Sequence, residues 1–269
     1  MISLIIPTIG SKDKNYFSEA IDSTIHISQD IVNEILIVNN SDNIDFINFV
    51  NLEAKKDDRI RIIHENKRLS IAQNWNLGLT AIKNKWHLYL HDDDILNHEE
   101  FNNVNHNNFK EVGFYSYDFY VLNGTKKKYI KRDSGINGII ENTPKFVSTI
   151  FNTKHLKSIG GWDNDAGYFL DILILLKLHT SHGSNHQNTS LGEYRIHKDN
   201  ASKKNERKSY YSQSLPYVLN ECYKIIDDKQ TRRLITFHLV SFAYPNTNYF
   251  FRFLNTMIRA IGNNAWFKY

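Results

Sequence analysis

The sequence predicts an α/β protein with a mostly parallel sheet flanked by helices and a helical C-terminal extension. Three observations predict it: short apolar runs alternate with helical periodicity over the first 96 residues, polar residues follow the end of each run, and the tail from about residue 206 carries two helical patterns. The elements follow in order. Ser3 to Ile6 is a buried strand, and Phe17, Ala20, Ile21 and Ile25 recur at helical spacing. Glu34 to Val38 is a second strand, which completes a βαβ unit. Phe46, Ile47 and Val50 mark a short helix, Arg59 to Ile63 a third strand, Leu69 to Ile82 a helix, and Trp86 to Leu90 a fourth strand. In such sheets ligands bind beyond the carboxyl ends of the strands. Thr8, Asn39, Asn40 and the run His91, Asp92, Asp93, Asp94 are thereby candidates for one crevice.

Beyond residue 112 the pattern is less regular. Phe114 to Tyr120, Asn123-Gly124 and Lys126 to Lys131 read as a hairpin, and Phe146 to Phe151 as a strand. Thr153 to Ser158 is a short helix stopped by Gly160-Gly161, and Tyr168 to Leu178 is a helix that buries one face through Leu170, Leu173, Ile174 and Lys177. Ser181 to His186 reads as a polar loop, in which His182 and His186 have metal-like spacing by coincidence. Pro216 lies near the start of the first tail helix.

Composition bounds the function. The chain has 269 residues, 41% hydrophobic and 23% charged, enough to bury a full core. Its 33 Lys and Arg against 29 Asp and Glu leave +4, too small a surplus for a nucleic-acid footprint. The lone Cys222 excludes an intramolecular disulfide and a cysteine zinc cage, and reads as a buried hydrophobe. The first residues lack a basic segment and meet Pro7 after a short apolar run, so they read as a strand rather than a signal peptide. The run Phe169 to Leu178 is broken by Asp171 and Lys177, well short of the ~18 to 20 apolar residues of a membrane span. The chain lacks a Gly-x-Gly-x-x-Gly loop, a phosphate-loop lysine motif and a Gly-x-Ser-x-Gly elbow, which argues against dinucleotide redox chemistry, a P-loop enzyme and an α/β-hydrolase.

The strongest local signal is Asp92-Asp93-Asp94. Three adjacent carboxylates after an apolar strand repel one another in a partly buried cleft unless a cation sits among them, and hard oxygen ligands suit Mg²⁺ or Mn²⁺. An acidic turn that caps the following helix is the plainer alternative.

Six pieces in order, Ser3-Leu-Ile-Ile-Pro7-Thr8, Glu34 to Asp42, Asn74-Trp-Asn-Leu-Gly78, Leu90 to Leu96, Gly160-Gly-Trp-Asp163 and Tyr194-Arg-Ile-His197, resemble the family 2 glycosyltransferases of GT-A fold. The resemblance spans roughly residues 3–202. It implies a GT-A catalytic domain over 1–204, with a donor half (1–96) and an acceptor half (97–204), followed by a helical extension over 205–269. It further implies a nucleotide-diphosphate sugar donor, with a UDP-sugar favoured, bound by Pro7, Thr8, Asn39, Asn40, Arg68, Asn74 and Asp92. Asn39 and Asn40 stand where relatives carry an acidic pair, and Gln73 where many carry arginine. By the same resemblance Mn²⁺ or Mg²⁺ is held by Asp93, Asp94 and His197. Asp171 is the implied general base, with Asp163 and Asp165 as fallbacks and Leu170 a departure from the pattern. Trp162 is either a sugar-stacking ring or a core plug.

The implied reaction is inverting transfer to a glycan or lipid-linked glycan acceptor in bacterial surface-polysaccharide synthesis, on the cytoplasmic side. The segment 248–269, basic and aromatic without an acid, suits a peripheral membrane contact, a helix packed on the domain or a homodimer contact. Two rivals stand beside this reading. A nucleotidyltransferase would show a Gly-rich basic loop after the first strand, of which Ile9-Gly-Ser-Lys12 is a faint echo. An inactive GT-A scaffold that binds glycan or a partner would account for Asn39, Asn40, Gln73 and Leu170, against the retained Asp93, Asp171 and His197.

Overall fold

A computed structural model of the chain describes residues 1–10, 13–198, 200 and 207–244. Strand β1 (Ile2–Thr8) is buried along its whole length, because it is the inner strand between β2 (Val32–Asn39) and β4 (Trp86–Tyr89) and is covered on both faces. Helix α1 (Lys14–Ile25) starts where the Asp13 side chain accepts from Asn15 N, and α2 (Ile44–Glu53) where the Asn43 side chain accepts from Phe46 N. β3 (Ile60–His64) extends the parallel sheet beyond β2, and α3 (Ile71–Ala81) returns the chain to β4. In β1 the odd and even positions separate cleanly. Leu4 and Ile6 meet Phe17, Ala20, Ile21, Phe46 and Val50 of α1 and α2, whereas Ile5 meets Ala72, Trp75 and Leu79 of α3 on the other face.

The second half completes the sheet in mixed sense. Short β5 (Ile95–Leu96) and α4 (His98–Asn102) lead to β6 (Phe114–Asn123), which turns at Gly124 into β7 (Lys126–Ile130). α5 (Gly135–Glu141), β8 (Thr149–Asn152), α6 (Thr153–Ser158), α7 (Leu170–His182), β9 (Ser184–Ile196), α8 (Arg207–Ile225) and α9 (Lys229–Ala243) follow. The strand order is β3-β2-β1-β4-β8-β6-β9-β5, with β7 beside β6. Pairing is parallel among β1 to β4 and between β6 and β9, and antiparallel at β4–β8, β6–β8, β5–β9 and β6–β7.

Four local expectations change. Phe146 to Ser148 form a 3₁₀ turn, and only Thr149 onward is strand, because Phe146 turns inward to pack on Trp75 and Trp162. The polar stretch expected as a loop is the end of α7 and the start of β9, held by the backbone ladder to β6. His182 stacks on His155 at 3.9 Å, while His186 lies near Asp118 at 3.2 Å, so these two histidines serve different neighbours. α7 is buried at Leu170, Ile172 to Leu176 and Leu178 rather than on one face, since α5, α6 and α8 surround it. Pro216 sits in the middle of α8, where Leu215, Val218 and Cys222 bury the helix and hold it together despite the missing donor. Cys222 is buried, and that burial pushes its thiol up to about 12. The segment 248–269 lies outside the described residues. Among the described residues no helix is long and apolar enough to cross a membrane.

Gly78 sets how closely α3 lies on the sheet. A Cβ there would stand 2.6 Å from Ile5 Cγ2 and 3.1 Å from Val38 Cγ2. We expect Gly78→Val to cost roughly 1–3 kcal/mol by overpacking, read as a lower urea midpoint. An unchanged midpoint would contradict this packing.

Candidate active site

The carboxyl ends of the parallel strands are in register, Thr8 beside Asn39 and Asn39 beside His64. After β4 the chain turns through His91, Asp92, Asp93 and Asp94, and each carboxylate has its own anchor. Thr8 Oγ1 donates to Asp92 Oδ2 at 2.5 Å, tying the turn to the end of β1. His197 Nε2 lies 2.8 Å from Asp93 Oδ2, and Asn200 Nδ2 donates to the same oxygen at 3.4 Å. Asp94, 1% exposed, accepts from Arg195 N at 2.9 Å. Arg195 is fixed in turn by Glu19 and by the Tyr16 ring, 4.1 Å away. The end of β9 is therefore clamped onto a turn about a hundred residues earlier in the chain.

Electrostatically the turn is under tension. Burial, with the charge of Asp93, pushes Asp92 up to about 7 against the hydrogen bond from Thr8. Burial and then Asp93 hold Asp94 well above the ordinary carboxylate range, and Lys145 and Arg195 act the other way. Burial lowers His91, opposed by the charges of Asp93 and Asp171.

These residues fit a divalent cation. Ligand atoms of His91, Asp93 and Asp94 lie within 4.8 Å of one another, and His197 joins them through Asp93. Asp94 Oδ2 is buried without a hydrogen-bond partner, which is costly for an acceptor atom unless a cation satisfies it. Imidazole and carboxylate together suit Mn²⁺ well and accept Mg²⁺. His91 stands in the run already singled out in the sequence, but its place in this cluster follows from the turn that sets it beside Asp94, Nδ1 to Oδ2 3.6 Å.

A cavity of ≈ 360 Å³ opens over the turn. Pro7, Thr8, Asn74, Asp92 and Asp93 line it together with Asp171. Asp171 stands in the first turn of α7, where its Oδ1 accepts from Ile172 N at 2.8 Å. Burial raises it above the ordinary aspartate range, while Lys145, the helix N–H groups and His91 pull it down. Asn74 is 2% exposed and its Oδ1 has no partner, so the cleft wall offers a buried acceptor.

Other candidates lie off the cavity wall. Asn40 Nδ2 donates to Glu65 O (2.8 Å) and Lys67 O (2.6 Å), and its Oδ1 accepts from Leu69 N (2.7 Å). It pins the 65–69 loop, a task a carboxylate, which has no donor, cannot perform. Asn39 Oδ1 accepts from Ser41 N, and its Nδ2 lies 3.2 Å from His64 Nδ1. Arg68 is exposed, and Gln73 forms the capping box of α3 with Ser70. Trp162 is a core plug: it is 2% exposed, and its indole N–H donates to Tyr89 at 2.8 Å. Asp163 accepts from Asp165 N and Tyr217 Oη, and Asp165 is exposed, so neither fallback base reaches the cavity wall.

Sequence reading missed Trp75, Lys145, Tyr168, Tyr211, His238 and Phe242, which complete the wall. They come from α3, the turn before β8, the 3₁₀ turn before α7, and helices α8 and α9. Separated so widely, they form no local motif.

A profile of Glycosyl transferase family 2 matches residues 3–169. No curated protein matches the chain. Among solved structures, S. aureus TarS 1–349 in complex with UDP-GlcNAc is similar with a TM-score of 0.68 and 12% identity, over 97% of this chain and 81% of that one. The mannosyltransferase PcManGT from Pyrobaculum calidifontis, in complex with GDP-Man and Mn²⁺, is similar with a TM-score of 0.66 and 15% identity, over 100% of this chain and 76% of that one. The fold is thus the GT-A fold, as the six sequence pieces imply.

The hydrogen bonds of Asn40 make a specific prediction. Asn40→Asp sets a carboxylate against the carbonyls of Glu65 and Lys67. The protein should lose about 1–3 kcal/mol of stability in a urea titration, with faster amide exchange over 65–69. Wild-type exchange in that loop would show that Asn40 does not hold it.

Proposed function

The chain belongs to glycosyl transferase family 2, and from that premise we propose that it transfers a sugar, with inversion, from a nucleotide-diphosphate sugar to a hydroxyl group of a glycan or lipid-linked glycan. The observation that supports this most directly is the convergence of Asp92, Asp93 and Asp171 on one cavity, although Asp171 belongs to a helix far along the chain from the acidic turn.

Asp93 and His197, backed by Asp94 and His91, would hold Mn²⁺ or Mg²⁺, which as a Lewis acid would neutralise charge on the diphosphate leaving group. Thr8 and Asp92 present a hydrogen-bonded pair at the end of β1, suited to ribose hydroxyls, and the unpartnered Asn74 Oδ1 adds an acceptor. The strand end at Asn39 remains the favoured neighbourhood for the base, with uracil first. Asp171 takes the proton of the acceptor hydroxyl as its oxygen attacks the anomeric carbon, and the bond to the nucleoside diphosphate breaks with its electron pair leaving on phosphate.

Tyr168, Tyr211, His238 and Phe242 form an aromatic wall beside Asp171, with Tyr211 5.5 Å from Tyr168 and His238 5.0 Å from Phe242 between ring centroids. Rings bearing polar groups suit the alternating CH and OH faces of a sugar acceptor. A surface glycan such as capsule, O-antigen or lipooligosaccharide is the product class proposed. Asn40 and Gln73, two of the departures behind the inactive-scaffold alternative, have structural uses that require no loss of catalysis.

Asp171→Asn should lower transfer about 10²–10⁴-fold while leaving donor affinity intact, whereas Asp93→Ala should abolish the metal-dependent part of donor binding. Turnover at the wild-type rate in either variant would remove that residue from its role. A base works only when ionised, and burial raises Asp171, so activity should fall on acidification with a midpoint above the ordinary aspartate value of about 3.9. That acid limb should be absent from the residual rate of Asp171→Asn.

A further inference from the structure

The cavity wall carries three carboxylates, Asp92, Asp93 and Asp171, and a single lysine or arginine among the described residues, Lys145. A diphosphate entering this cleft brings more negative charge to a site already rich in it. The cationic candidate suggested by resemblance is elsewhere: Arg68 is exposed and off the wall. Gln73, at the start of α3, spends its side chain on the helix cap.

Lys145 is held in place from its backbone outward. Its carbonyl accepts from Ser148 N (2.9 Å), Ser148 Oγ (3.0 Å) and Thr149 Oγ1 (2.8 Å), which fixes it at the head of β8. The next residue, Phe146, is locked edge-on against Trp75 at 4.9 Å. The ammonium lies over the Tyr194 ring, 5.1 Å from its centroid, and among the described residues makes no ion pair. Its charge is felt on both sides of the cleft, at Asp94 and His91 of the acidic turn and at Asp171 of α7. A fixed backbone, a long flexible stem and an ammonium without an ion pair among the described residues, on the wall that also carries Asp92, Asp93 and Asp171, suit an anionic ligand.

We infer that Lys145 is a donor-binding residue whose ammonium pairs with the diphosphate of the nucleotide sugar, an inference that rests on the donor reading above. The ammonium stays with the diphosphate as charge builds on the leaving group, so Lys145 supports departure as well as binding.

The test is calorimetric titration of UDP, GDP and dTDP, each with Mn²⁺, into wild type, Lys145→Met and Lys145→Arg, with uridine, guanosine and thymidine followed in parallel by ligand-observed NMR. Lys145→Met should weaken binding of the favoured diphosphate roughly tenfold to a hundredfold, leave the parent nucleoside unaffected, and keep the wild-type urea midpoint. Lys145→Arg, which keeps the charge, should recover most of the loss. Equal diphosphate affinity in wild type and Lys145→Met overturns the inference and leaves the donor reading standing. Equal losses for nucleoside and diphosphate also overturn it, because the lysine would then be acting on the shape of the site. Binding of none of UDP, GDP and dTDP by the wild type brings down the donor reading, and Lys145 with it.

Discussion

Three adjacent carboxylates held partly out of water at the end of β4 are the constraint around which the molecule is arranged. An isolated buried charge is among the most costly things a fold can contain, and this turn concentrates several of them. The chain answers with anchors drawn from opposite ends of the sequence: the Thr8 hydroxyl from β1, and the Arg195 N–H, His197 ring and Asn200 amide from the end of β9. These bonds also tie the C-terminal end of β9, which pairs with β6 and β5, to the acidic turn, and Arg195 ties it to Glu19 of α1. What the anchors leave unsatisfied, Asp94 Oδ2, is where a divalent cation would complete the arrangement.

The same economy governs Asn40 and Gln73. An amide at position 40 spends both amide hydrogens and its oxygen on the 65–69 loop, and a glutamine at 73 closes the helix cap below it. Neither side chain lines the cavity. The two carboxylates proposed for the chemistry are held differently: Asp93 sits in the turn after β4, tied to His197 and Asn200, whereas Asp171 opens a helix buried on nearly every side.

Legibility followed physics. The βαβ half could be read because inner parallel strands are continuous apolar runs and their helices carry apolar residues at helical spacing. β9 could not, because its first residues, Ser184 to Thr189, are polar and partly exposed, and only backbone pairing to β6 makes them a strand. Phe146 and Val147 looked like strand residues, yet they are apolar because they plug the core from a turn. In the site, the acidic triplet was visible as chemistry. Asp93 and His197 are 104 positions apart, and only the family resemblance joined them before the structure brought them to 2.8 Å. Lys145, Tyr211 and Phe242 carried no signal, because their meaning lies in helices and turns that converge only after folding.

The most direct measurement is the thermal midpoint of the purified protein with UDP-, GDP-, dTDP- and CMP-sugars, each in Mn²⁺ and in chelator. A ligand that binds the native state raises the midpoint, by an amount that grows with the logarithm of its concentration over its dissociation constant. The account predicts a clear rise with one nucleoside-diphosphate class in Mn²⁺ and its loss in chelator. A folded protein whose midpoint none of these donors moves, with or without metal, would contradict it.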